Sequence, residues 1–316
     1  MAWTLVPSIL LPTFTWRHRV LGSVALASSI PPAPQLAHRT VRRLVGFLHS
    51  YLPYISIRYC AWVGIPFDNQ IVQLPFGLVL KWSDGTRLEE VSAMMIARSA
   101  GFPVPLVISY GDHPDTPHAP VSILMTRLPG KDLGQVHEHL SDEERQTICE
   151  EMHTMQSAMR SWPHPWGGER ICSVVGTSIR SVRIPGHSIE PCKSESEFND
   201  HLLSVASEHD FPCRSQFEQK LACVRKLHSV RHSIVFTHGD LKHHNIMVHD
   251  GHVSGFIDWE SAGWYPDYWE FTTALRYCRK NFWWYEFVSQ LGGSEYSNEM
   301  ESERALTSLT VDSYTW

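Results

Sequence analysis

Asp240, Asn245 and Asp258 lie within one stretch, THGDLKHHNIMVHDGHVSGFIDW, residues 237–259. The spacing is D-x4-N-x12-D. The apolar runs 246–248 and 253–257 read as two strands, and His249-Asp250-Gly251-His252 reads as their turn, Asp-Gly being a strong hairpin signal. Folding the chain back there sets residue 245 roughly opposite residue 256. Asn245 and Asp258 then meet at the open end of the hairpin, with Asp240 on the loop leading in. An amide oxygen and a carboxylate at one rigid edge suit Mg²⁺, which is usually held by one or two protein groups together with phosphate oxygens. A further carboxylate beside them can take a proton from an attacking hydroxyl. The five histidines of this region (238, 243, 244, 249 and 252) raise zinc as a competitor, but no H-E-x-x-H spacing or cysteine partner accompanies them.

Upstream elements must carry the rest of such a site. IVQLPFGLVLKW, residues 71–82, reads as two short strands around Pro75-Phe76-Gly77, and alternation places Val79 and Lys81 on one face. RLEEVSAMMIARSAG follows as a helix stopped at Gly101, and FPVPLVISYG and VSILMT as two more strands. Beyond residue 127 the patterns are mostly helical. Ser141-Asp142-Glu143-Glu144 is a capping box ahead of a helix over 142–160, with further helices expected at 194–209, 214–230 and near 268–280.

Composition fits a globular protein with a substantial core: 43% of the 316 residues are hydrophobic and 19% charged. The formal net charge of −6 gives no reason to expect nucleic-acid binding. Charge is unevenly spread. Residues 1–67 hold six Arg and no acid, whereas the remainder holds 21 basic against 33 acidic side chains, a balance suited to a cationic small substrate. Seven cysteines without a C-x-x-C pair argue for reduced thiols inside a cell. No apolar run reaches the ~18–20 residues of a membrane span. Residues 1–40 read as a disordered leader and the chain as cytoplasmic. The acid-free, Arg-bearing start keeps a mitochondrial presequence as the alternative, and Val24–Ser28 offers small residues for signal cleavage although Arg17 and Arg19 fall where an apolar core should be.

The Asp-Asn-Asp order is the one protein kinases use, but here the motifs are His238-Gly239-Asp240 and Asp258-Trp259-Glu260, with no A-P-E and no G-x-G-x-x-G before Lys81. HGDLKHHNIMV and IDWESAGWYPDYWEF instead closely resemble the aminoglycoside phosphotransferase and choline kinase superfamily, in particular its broad fungal group. The resemblance extends to GLVLKW, FPVP and ILMTRLPGKDL and covers roughly residues 70–280. It implies an α+β, bilobal protein-kinase-like fold, with a small β-rich N-lobe and a larger, mainly helical C-lobe. The expected division is a leader at 1–40, an N-lobe at 41–127, a C-lobe at 128–290 and a polar tail at 291–316.

The resemblance also implies roles. Asp240 would be the catalytic base, with Lys242 neutralising the transferred phosphoryl group. Asn245 and Asp258 would hold Mg²⁺. Lys81 would pair with the phosphates of ATP, oriented by Glu90 or, in the alternative register, Glu89. Met125 would border the adenine pocket, and the backbone of Thr126, Arg127 and Leu128 would form its hinge. The nucleotide loop is expected around residues 64–73, where the sequence is not glycine-rich. Trp259, Trp264, Tyr265, Tyr268 and Trp269 could cage a quaternary ammonium, but packing between hairpin and helix is the preferred reading. The implied activity is ATP- and Mg²⁺-dependent phosphoryl transfer to a hydroxyl of a small molecule. A nucleotide-binding pseudokinase or scaffold is the competing reading. The acceptor's identity and the oligomeric state are not legible in the sequence.

Overall fold

A computed structural model describes residues 6–209, 211–227 and 229–310. In chain order the elements are α1 (Arg39–His49), α2 (Leu52–Val63), β1 (Ile71–Leu74), β2 (Leu78–Lys81), α3 (Leu88–Ser99), β3 (Val107–Asp112), β4 (Val121–Thr126), β5 (Lys131–Asp132), α4 (Leu133–Val136) and α5 (Asp142–Arg160). They continue with β6 (Cys172–Ser173), β7 (Ile179–Arg180), β8 (Ser188–Ile189), α6 (Glu195–Leu203), α7 (Arg214–Leu227), β9 (Ile234–Thr237), β10 (Ile246–His249), β11 (His252–Phe256), β12 (Gly263–Pro266), α8 (Trp269–Leu275), α9 (Trp283–Gln290) and α10 (Ser297–Leu309). The chain separates into two compact units, Met1–Glu151 with His244–Glu260 and Met152–His243 with Ser261–Trp316.

The first unit is built on an antiparallel sheet of order β1-β2-β4-β3, beside a second sheet of order β11-β10-β5. Pairing of β5 with β10 is why the expected boundary at 127/128 falls inside this unit. The β10–β11 turn is the Asp250-Gly251 pair, both with positive φ as a two-residue hairpin turn of this kind requires. Register shifts by one residue at Ser254, so the Ile257 N–H donates to the Asn245 carbonyl at 2.9 Å and Asn245 faces Ile257 rather than Phe256.

Helices α1 and α2 were not expected. α1 lies against β3 so closely that a Cβ on Gly46 would sit 2.2 Å from the Asp112 carbonyl oxygen. His49 fixes it further, with Nδ1 2.7 Å from Ser122 Oγ and Nε2 2.9 Å from Ser109 Oγ. Burial lowers the His49 pKa to about 4, so the ring is neutral at physiological pH. The described part of the leader is also engaged in this unit. Ala27 N–H donates to the Ala100 carbonyl, and Phe76 N–H to that of Ile9, both at 2.9 Å.

The second unit holds sheets of order β6-β12-β9 and β7-β8 among helices α6 to α10. Its core includes Ile179, Phe198, Tyr265, Trp269 and Leu306. All five aromatics weighed as an ammonium cage are buried. Trp269 stacks on Tyr265, and the Arg183 guanidinium lies 3.6 Å from its ring centroid, so packing uses these faces. The polar tail expected over 291–316 is helical from Ser297 to Leu309, with Met300, Ala305, Leu306 and Leu309 buried. Leu306→Ala should therefore cost about 2–5 kcal/mol in urea denaturation, and the exposed Glu301→Ala within about 0.5 kcal/mol. Equal, negligible costs would mean that the helix contributes nothing to the core.

Candidate active site

Lys81, at the end of β2, is 7% exposed yet carries a charge. Its Nζ donates to Glu90 Oε1 at 2.9 Å and to Asp258 Oδ1 at 2.6 Å, with Glu260 Oε2 at 3.6 Å. Burial opposes the charge, but the three carboxylates outweigh it and raise the Lys81 pKa, keeping the ammonium protonated. Glu90 is itself raised by burial; Lys81 opposes that, and Asp258 and Glu260 add to it. Glu90, in the first turn of α3, is the glutamate that meets Lys81, whereas Glu89 Oε2 lies 3.8 Å from Arg87 Nε. Asp258 follows β11 with φ +66°, a left-handed backbone uncommon for a residue other than glycine.

Lys81, Glu90, Met125, Thr126, Arg127, Leu128, Asn245 and Asp258 all line one cavity of about 380 Å³ in the first unit. Ile71, Val79, Met94, Met247 and Ile257 give it apolar walls. One end is ionic; another is the C-terminal end of β4, a strand paired on both sides, and the residues after it. The N–H groups of Thr126 and Arg127 already donate to the Leu106 and Gly77 carbonyls, at 3.0 and 2.8 Å. Both N–H groups are thus engaged within the protein, which narrows the set that the resemblance implied for a hinge. The Arg127 guanidinium bonds Gln73 Oε1 at 2.8 Å and the Pro12 carbonyl. The β1–β2 turn has one glycine, Gly77, and is held by the described leader, with Trp16 Nε1 donating to the Phe76 carbonyl at 2.7 Å.

Asn245 and Asp258 supply hard oxygen donors, and one ligand atom from each of Glu90, Asp258 and Glu260 lies within 4.8 Å of the others. A carboxylate has about four lone-pair sites, so the Lys81 contact through one oxygen of Asp258 does not exhaust it. The donor set fits a small oxygen-loving dication.

Asp240 and Lys242 belong to the second unit, outside the residues lining this cavity, and Lys242 Nζ lies 2.8 Å from Asp240 Oδ1. Their loop is shaped by two features. Gly239 has φ +82°, and a Cβ there would stand 2.2 Å from the Ser261 carbonyl oxygen, so only glycine fits. Its N–H donates to Glu270 Oε2 at 3.0 Å. Glu270 had no role in the sequence reading, although it lies within the YWEF segment; a lone glutamate in an aromatic helix gives little signal of a bond 31 residues back.

Residues 71–302 match the family described as the phosphotransferase enzyme family. The chain belongs to that family. Its fold is protein-kinase-like and α+β, as expected. It is similar to a thermostable mutant of aminoglycoside phosphotransferase APH(4)-Ia in ternary complex with AMP-PNP and hygromycin B, at 14% identity and TM-score 0.50, covering 73% of this chain and 76% of that one. It is also similar to APH(2")-IIia in complex with GDP and kanamycin, at 12% identity and TM-score 0.50, covering 72% of this chain and 74% of that one. The comparison with curated proteins gave no match. The chain is thus a phosphotransferase.

Burial pushes the Glu270 carboxyl up to about 7, opposed by the Gly239 hydrogen bond and Arg160 and reinforced by Asp240. An acid whose pKa is raised on folding stabilises the fold most when protonated. Its contribution is present below the ordinary value of 4.5 and is lost as pH rises toward about 7. Glu270→Gln keeps an acceptor for Gly239 but cannot ionise. Its stability relative to the wild type should rise between about pH 4.5 and 7 in urea melts. Parallel pH profiles would show that Glu270 does not titrate differently in the fold.

Proposed function

We propose that the chain transfers the γ-phosphoryl group of ATP, with Mg²⁺, to a hydroxyl of a small molecule. The observation that carries this is the cavity itself: a charged Lys81–Glu90–Asp258 set, apolar walls and the backbone at the end of β4 together suit a nucleotide. The bound AMP-PNP and GDP named for the two similar structures support a nucleotide, and their hygromycin B and kanamycin support a hydroxyl-bearing, cationic acceptor. The acidic balance beyond residue 67 agrees with a cationic acceptor.

In this reading Lys81 pairs with nucleotide phosphates and Glu90 holds its orientation. Met125 and the backbone of residues 126–128 take the base. Asn245 and Asp258 would hold the magnesium, which when bound neutralises charge on the phosphate oxygens. Asp240 accepts or orients the hydroxyl proton as the acceptor oxygen bonds to the γ-phosphorus and the bond to the β–γ bridging oxygen breaks. Lys242 offsets charge on the transferred group. Glu270, by holding Gly239, is a positioning residue for Asp240.

One observation favours nucleotide binding without turnover: the β1–β2 turn has a single glycine and is anchored by Trp16. ADP release from Mg²⁺-ATP, measured across amino alcohols, sugars and aminoglycosides, separates the two. The wild type should turn over at least one hydroxyl acceptor. Asp240→Asn should lower turnover by about 10²–10⁴-fold with near-native ATP affinity. Full turnover in Asp240→Asn would remove Asp240 from catalysis; tight binding with no turnover on any acceptor would favour the alternative. Asp258→Ala should abolish the Mg²⁺ dependence of nucleotide binding in titration calorimetry, and an unchanged dependence would remove Asp258 from the metal site.

A further inference from the structure

We propose that the outer face of α1 and α2 docks on the surface of an anionic lipid bilayer. A helix on a globular protein ordinarily buries its apolar stripe and exposes its charges. α1 instead buries Gly46 and the polar His49 and exposes an apolar stripe beside its arginines. Gly46 and His49 face β3, and Arg42 on the same arc pairs with Asp112 at 2.9 Å. On the opposite arc Leu44, Phe47 and Leu48, spaced one helical turn apart, are 61%, 59% and 56% exposed. α2 also exposes Tyr54, Ile55 and Trp62, at 68%, 51% and 50%, and the Phe47 ring meets that of Tyr51 between the two helices. Exposed apolar side chains gathered on neighbouring helices mark an interaction site.

Charge complementarity identifies the occupant. Arg39 and Arg43 flank the apolar arc of α1, and Arg58 is exposed on α2. No acidic residue occurs before Asp68, while the rest of the chain has an acidic excess. Aliphatic and aromatic side chains flanked by arginines suit the boundary between acyl chains and anionic headgroups, where the rings and guanidinium groups sit at the polar level. An anionic surface also attracts this face and repels the acidic remainder, which fixes orientation. Two-fold pairing with a second copy would instead set these arginines against one another, with no carboxylate in the segment to offset them. Among the described residues no helix is long and apolar enough to cross a membrane, so the contact lies in the interface.

The test is flotation of the full chain with vesicles of phosphatidylcholine alone or with roughly 30% phosphatidylserine, at salt raised from about 0.1 M to about 0.5 M. The chain should float with the anionic vesicles only, and salt should release it. Arg39→Gln with Arg43→Gln should weaken partitioning roughly fivefold per arginine. Leu44→Ser with Phe47→Ser should weaken it by more than about tenfold. Circular dichroism and melting of both double variants should match the wild type, because these side chains are exposed. Failure to float, equal flotation with neutral vesicles, or flotation unchanged in both variants would overturn the proposal. So would a concentration-dependent dimer lost in Leu44→Ser with Phe47→Ser and accompanied by no flotation, which would assign the face to a second copy.

Discussion

A buried ammonium is the constraint around which the first unit is organised. Taking a charge out of water costs several kcal/mol unless partners surround it. Lys81 meets that condition with Glu90 from α3 and with Asp258 and Glu260 after β11, so a strand, a helix and a hairpin 177 positions apart in sequence converge on one nitrogen. The carboxylates outnumber the ammonium. Burial raises Glu90, with Asp258 and Glu260 adding to it, and the imbalance leaves an excess of negative charge that a dication would offset. A group evolved for stability alone would more simply be apolar, since replacing a buried ion pair with packed hydrophobes is often neutral or stabilising. The cluster therefore reads as functional in origin, with α3 and the hairpin as its supports.

The second unit solves a different problem, holding a polar loop in a set conformation over a dense aromatic core. Gly239 permits the chain to pass the Ser261 carbonyl, and the buried carboxyl of Glu270 ties that glycine down. Asp240 follows directly, so the side chain proposed for proton transfer stands next to this held glycine, with Lys242 Nζ 2.8 Å from its Oδ1. The Arg183 guanidinium over Trp269, also bonded to Glu303, joins α8 to α10, which makes the C-terminal helix part of the same support.

Much of this was legible in the sequence where local signals act alone. Asp-Gly between two apolar runs gave the hairpin, the Ser141–Glu144 box gave the start of α5, and alternation put Lys81 on one face of β2 with Val79, both of which line the cavity. The hydrogen bonds show the box as read, with Ser141 and Glu144 bonded to each other's backbone N–H groups. What escaped was set by tertiary contacts. The bulge at Ser254 follows from its hydroxyl reaching the Pro129 carbonyl, which no local rule encodes. α1 and α2, almost wholly within the expected N-lobe, escaped because many of their apolar residues, Leu44, Phe47 and Ile55 among them, are exposed and leave no clean inward stripe to read. α10 escaped because a helix rich in Ser, Thr and Glu buries only a narrow stripe. Thr126 and Arg127 were assigned to a hinge without regard to the carbonyls of Leu106 and Gly77 that already hold their N–H groups.

The central claim is that the Lys81 cavity binds the nucleotide of a phosphotransferase. Calorimetric titration of Mg²⁺-ATP and Mg²⁺-GTP into the wild type and into Lys81→Met, with circular dichroism to confirm that the variant is folded, tests it directly. The account predicts saturable binding to the wild type and a loss of more than about tenfold in affinity in a folded variant, since a charge-assisted contact of about 1.5–3 kcal/mol is removed. Equal affinity of the two proteins, or no binding of either nucleotide by the wild type, would contradict it.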